Sequence, residues 1–287
     1  MPTSRRRRAA VLAWAVAMLV VPSTRGVAQS GRADALAEQL RRYIDQYELT
    51  LSTLVADEAF EQVITHGRVG SVHRHLVSDF GFLPLPGHLG WLGQRRVRLV
   101  DGEPVGPDIA RLDEVFARAG SAIHAQARAV AGGNERFNLG PPRTMNVPTL
   151  PLELLLRRHA HRFRVTHEGD EEREGRPVAR LYFREQAPGA IIAHDARRFV
   201  RTDVRVWMAV DDGALLRADV TLHAPRRWNS PHRVRVDFEH DPALGVLVPV
   251  RLSESFVAGG QGRGEATYRN FRKFQTSGRI LPPGPSR

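Results

Sequence analysis

The second half of this chain alternates. From Phe163 onward apolar residues fall at every second position: Val204, Val206 and Met208; Val234, Val236 and Phe238; Val246, Val248, Val250 and Leu252. A period of two is that of a strand with one face toward a core. It predicts strands at 162–167, 178–185, 203–210, 214–223, 232–239, 246–257 and 263–276. The joints are short: Asp211-Asp212-Gly213, Asp241-Pro242 with Gly245, and Gly259-Gly260. Strands joined by such turns lie antiparallel to their neighbours. The chain must therefore build a large antiparallel sheet, with whatever precedes it packed on one face.

The first half reads mainly as helices. Leu36, Leu40, Tyr43, Ile44, Tyr47, Leu51, Leu54 and Val55 recur at three- and four-residue steps, predicting a helix from Gly31 to about His66. A second helix, Ile109–Ala131, stops at Gly132-Gly133, and Leu150–Leu156 forms a short third with Pro151 in its first turn. Between the first two, 69–82 and 94–100 alternate as strands, and Asp101-Gly102 turns into a short strand at 103–105. The fold class is α+β: a helix-rich 30–160 followed by a sheet over 162–277, within a single domain at 29–287.

Residues 1–28 supply an address. Arg5, Arg6, Arg7 and Arg8 precede an apolar run from Ala9 to Val21, Pro22, and a small-residue exit at Gly26-Val27-Ala28. That is the order of a signal peptide, and the run is shorter than the roughly 20 residues a membrane span needs. The expected location is the periplasm or the extracellular space. An exported chain with no cysteine has no disulfides, so stability rests on a sizeable apolar core. Removing the leader's five arginines lowers the net charge from +11 to +6. Lys273 is the only lysine. The arginines are scattered beside acids rather than set in a stripe with aromatics, which argues against nucleic acid as partner. Attraction to an anionic membrane surface suits a basic exported protein.

Few residues point to chemistry. His73 and His75, two apart on a strand with Asp79 on the same face, are the candidate metal ligands. They define one alternative function, a metal-dependent envelope hydrolase using the 73–79 strand. His159, His161 and His167 lie among Arg157, Arg158, Arg162 and Arg164, whose charge opposes a cation but suits an anion or lipid headgroup. There is no Gly-x-Ser-x-Gly elbow. Ser253-Glu254 reads as an ordinary polar strand position. Asp211/Asp212 and Asp170/Glu171/Glu172 read as turns or solvated runs, and 259–264 as a hairpin loop. No catalytic residue and no cofactor is called for.

Three stretches are familiar together: Val77-Ser-Asp-Phe-Gly-Phe-Leu-Pro-Leu-Pro-Gly with Trp91 and Val100-Asp-Gly-Glu-Pro-Val; Asn138-Leu-Gly with Asn146-Val-Pro-Thr-Leu; and Ala266-Thr-Tyr-Arg-Asn-Phe-Arg-Lys-Phe. They resemble a group of exported bacterial proteins of unassigned function. The meander from about 162 to 277 resembles the lipoprotein-carrier fold of LolA and LolB. That resemblance implies a curved antiparallel sheet in a half-open barrel, lidded by helices, around an apolar cavity that takes acyl chains. It carries over no catalytic residue, and the absent cysteine sets the acylated receptor aside. The expected function is a non-enzymatic carrier that holds a lipid, acyl group or other apolar ligand on the concave face. That face is expected to present Tyr182, Val204, Val206, Met208, Leu216, Val234, Val236, Phe238, Leu252 and Phe256. Arg157, Arg158 and Arg162 would meet the headgroup. A filled core serving protein interaction is the other alternative.

Overall fold

The structure, a computed structural model, describes residues 24–51, 54–84, 91–106, 135–141, 143–186, 191–195, 198–223 and 231–273. The predicted helix Ile109–Ala131 lies outside them. A long helix, α1 (Thr24–Leu51), opens the described chain. Four strands follow: β1 (Leu54–Thr65), β2 (Ser71–Pro84), β3 (Trp91–Val100) and β4 (Glu103–Pro104). A short helix, α2 (Leu150–Leu155), and a short 3-10 helix at Arg157–Arg162 lead to β5 (Phe163–Arg173) and β6 (Arg176–Glu185). The small hairpin β7 (Ile192–Asp195) and β8 (Arg198–Val200) precedes β9 (Thr202–Ala209) and β10 (Leu215–Leu222). The last three strands are β11 (His232–Asp241), β12 (Val246–Val257) and β13 (Gln261–Lys273).

Eleven strands form one antiparallel sheet in the order β4-β3-β2-β1-β13-β12-β11-β10-β9-β6-β5. The sheet is open, because β4 and β5 stand at its two edges. β13 pairs with β1 on one side and β12 on the other, so the last strand joins the two halves of the chain. The twist of antiparallel strands coils this sheet around a single interior. Phe80 and Phe82 of β2 share one buried cluster with Leu181 and Phe183 of β6, seven places away in the sheet.

Two readings are corrected. The first helix ends at Leu51, and what continues its apolar pattern is β1. Leu54, Ala56, Phe60 and Ile64 alternate inward, with Glu58 and Gln62 buried at the intervening inner positions. Two polar residues on a core-facing side broke the period of two, leaving Leu54 and Val55 to fit the helical step. The stretch 30–160 is accordingly not helix-rich among its described residues, since it contributes four strands. Asp170, Glu171 and Glu172 belong to the edge strand β5, where they pair with β6 and stay solvated, Asp170 and Glu172 being exposed.

The buried stripe of α1 is Ala33, Leu36, Ala37, Leu40, Ile44 and Tyr47. The helix lies across the strands. Arg32 meets Asp170 on β5, the Gln39 amide donates to the Val210 carbonyl, and the Tyr47 hydroxyl donates to the Leu247 carbonyl on β12. From Arg32 to Tyr47 the helix rises about 22 Å at 1.5 Å per residue. Five strand steps, from β5 to β12, span about 24 Å.

β13 turns Gly262, Gly264, Ala266 and Tyr268 inward. A Cβ on Gly262 would sit 2.3 Å from the Phe256 ring, and one on Gly264 would sit 2.8 Å from Glu254 and Phe60. The strand is bare there because larger neighbours fill its face. Gly262→Ala is expected to cost about 1–3 kcal/mol by overpacking. Gly31→Ala, with open space around its Cβ in α1, should instead stabilise by up to about 1 kcal/mol. Urea denaturation of both variants checks the contrast.

Candidate ligand-binding site

Register places the inner face row by row. One row reads Leu181, Val206, Ala218, Val236, Leu252, Ala266, Phe60 and Leu76, apolar throughout. The next reads Phe183, Val204, Val220, Val234, Glu254, Gly264 and Gln62. The interior is thus oily under α1 and polar toward β1. Of the residues expected on this face, Val204, Val206, Met208, Val234, Val236, Phe238 and Leu252 lie in the main buried cluster. Phe256 sits in a small separate cluster with Ile64 and Leu139, and Leu216 is half-buried at a bulge. Tyr182 is on the opposite face. Its neighbours Leu181 and Phe183 point inward, while its hydroxyl donates to Asp203 at 2.7 Å beneath the Arg205 guanidinium.

The polar end is built from paired charges. Arg95 binds Glu58 through two hydrogen bonds of 2.5 and 2.8 Å, lies over the Phe60 ring, and donates to the Asn146 carbonyl. Arg143 binds Glu254 likewise, at 3.2 and 2.9 Å, and covers the Phe256 ring at 3.6 Å. His232 reaches Glu254 at 3.1 Å, and Gln62 accepts from Arg143 and from the Leu139 amide. Asn146 donates to Asn138, which donates to the Arg143 carbonyl. Burial alone would raise the Glu254 pKa. The His232 hydrogen bond and the Arg143 charge outweigh it and hold the carboxyl below its usual range. Burial pushes the nearby Tyr268 hydroxyl well above its ordinary value. These groups neutralise one another and tie the stretch 137–147 across the sheet.

The sheet also divides. Pairing between β12 and β13 runs from Val257–Gln261 to Arg251–Thr267 and stops. Below that rung, 246–250 pairs only with β11, and 268–273 only with β1. Two irregularities bend the strands apart. Asn270 takes a left-handed conformation (φ 54°) opposite a register shift in β1, its amide fixed on Asp57 at 2.8 Å. β11 carries a second shift at Asp237/Phe238, facing Pro249, which has no N–H for a ladder. A groove of about 1040 Å³ fills the split, bounded by Leu247, Val250 and Arg251 on one wall and Thr267, Tyr268 and Arg269 on the other. It shares Arg176, His240 and Leu247 with a pocket of about 320 Å³ under Tyr43 and Tyr47 of α1. Phe238, Leu247 and Tyr268 belong to the buried cluster, so the groove reaches the interior.

No family model and no curated protein matches the chain. Solved structures do. The chain is similar to a domain from Vibrio parahaemolyticus named for outer membrane lipoprotein sorting, at 12% identity over 88% of this chain and 95% of that one, with a TM-score of 0.41. It is similar to a LolA superfamily protein from Nitrosomonas europaea (8% identity, 85% and 94% covered, TM-score 0.37). A DUF1329 family protein from Desulfovibrio piger is also similar (13%, 84% and 92%, 0.40).

The other expected sites are taken up by the fold. Arg157 pairs with Glu38 and Asp45 of α1, Arg158 with Glu153, and Arg162 with Glu185. This cluster clamps α1 to the turn before β5. Burial, then the charges of Arg158, Arg162 and His161, depress the His159 pKa to about 4. His73 and His75 are exposed on the outer face, while Asp79 meets Arg96, Arg98 and Arg272 at 3.3, 3.5 and 3.3 Å. Three guanidiniums already pair with the would-be third ligand, and their charge opposes a cation at 73–79; no cluster suited to a metal occurs among the described residues. No described helix is long and apolar enough to cross a membrane.

The split was missed in the sequence. Its signals are Pro249 within a long alternating run and Asn270 within another.

Proposed function

We propose that this chain is an exported, non-enzymatic binding protein that takes an apolar chain into its interior through the split between β12 and β13. The observation that carries this reading is the groove itself. Its floor is made of core residues, Phe238, Leu247 and Tyr268, and it continues into the pocket under α1. The two volumes fall in the range of small-molecule sites, roughly 300–1,000 Å³. The buried ionisable groups support a binding role over catalysis, because Glu58, Arg95, Arg143, His232 and Glu254 are committed to one another. Val204, Val206, Met208, Val234, Val236 and Leu252 would line the deeper path once α1 yields.

Affinity then comes from burying methylenes at about 0.8 kcal/mol each. Titration calorimetry with decyl, dodecyl and tetradecyl chains on one neutral headgroup tests it. Each added pair of methylenes should tighten binding roughly fifteen-fold. Equal affinity across the series would overturn the reading.

A further inference from the structure

We infer that the occupant of the split is an anionic amphiphile, its headgroup held by Arg251 and Arg269; this rests on the split being the ligand route. Arg251 stands on the last rung that β12 and β13 share, and Arg269 lies two residues farther, on the opposite wall. Each faces a carboxylate that is already committed. Across β11, Arg251 opposes Asp237, which Arg217 holds at 2.5 Å. Across β1, Arg269 opposes Asp57, which takes its hydrogen bonds from Asn270 and Arg272 at 2.8 and 2.9 Å. Arg251 feels the charge of Glu265, yet among the described residues neither arginine forms a salt bridge.

Arg173, Arg176 and Arg217 also line the groove, but each is already held, by Glu171, by Asp211 with Asp212, and by Asp237. The charge left to meet an anion above the apolar floor is that of Arg251 and Arg269. An acyl chain ending in a carboxylate or phosphate matches both parts. Two arginines flanking the mouth can each give it charge-assisted hydrogen bonds.

The test compares dodecanoate, dodecyl phosphate and dodecanol by titration calorimetry on the intact chain and on Arg251→Gln/Arg269→Gln. In the unaltered protein the two anions should bind roughly tenfold or more tightly than the alcohol. That preference should weaken with added salt and vanish in the double variant. The ratio of dodecanoate to dodecyl phosphate tells whether a free acid or a phosphate headgroup fits better. Equal affinity for all three would overturn the headgroup assignment and leave the apolar site standing. A preference that survives the double variant would overturn it too. Binding of none of the three would remove the ligand route, and this inference with it.

Discussion

Arg95→Met should destabilise the protein by about 3–5 kcal/mol, the cost of leaving one buried charge without its partner. Both members of the Arg95–Glu58 pair have no exposed side-chain surface. Burial opposes the guanidinium charge, and Glu58 more than offsets it, holding the group charged. The variant removes that compensation and the bond to the Asn146 carbonyl, while its own side chain still fills the space over Phe60. The double variant Glu58→Gln/Arg95→Met should recover most of the loss, because paired removal of buried charges is often close to neutral. Urea midpoints for the two single variants and the double variant complete the cycle. A loss below about 1 kcal/mol in Arg95→Met would mean that the pair is not a dry one.

The sheet was legible where its two faces differ cleanly. Val204, Val206 and Met208 against Arg205 give a plain alternation, and the structure keeps β9 where that pattern puts it. The reading went astray where polar residues face inward. Glu58 lies between Ala56 and Phe60, Gln62 between Phe60 and Ile64, and Glu254 between Leu252 and Phe256, each at inner parity. A carboxylate flanked at both second neighbours by core residues is itself a signal, for it must be paired inside. The partners could not be read, because Arg95, Arg143 and His232 are remote in sequence and meet only through the strand order. Tyr182 failed for a simpler reason. It is apolar enough to join a core list, but the parity set by Leu181 and Phe183 already excluded it. The familiar motifs have physical roles: Asn138 and Asn146 tie their loop to Arg143 and Glu254, and Asn270 bends β13.

Glu254→Gln should cost about 3 kcal/mol near neutral pH, because it strands the buried Arg143 guanidinium. Its pH dependence separates charge from packing. The folded carboxyl titrates below its usual value, about 4.3 in an unfolded chain. A depressed folded pKa gives stability that is complete above the unfolded value and is lost as pH falls through the folded one. The parent protein should therefore weaken in acid below about pH 4, where the variant, lacking this titration, changes less. The gap between the two should narrow as acid is added; a constant gap would assign the loss to packing alone. The same substitution should loosen the lid of the polar end. The Leu139 amide donates to Gln62 at 3.0 Å, and Gln62 is held in turn by Arg143. With Arg143 unanchored, that amide should exchange with solvent faster in the variant, ahead of amides in β9, whose pairing the network does not touch.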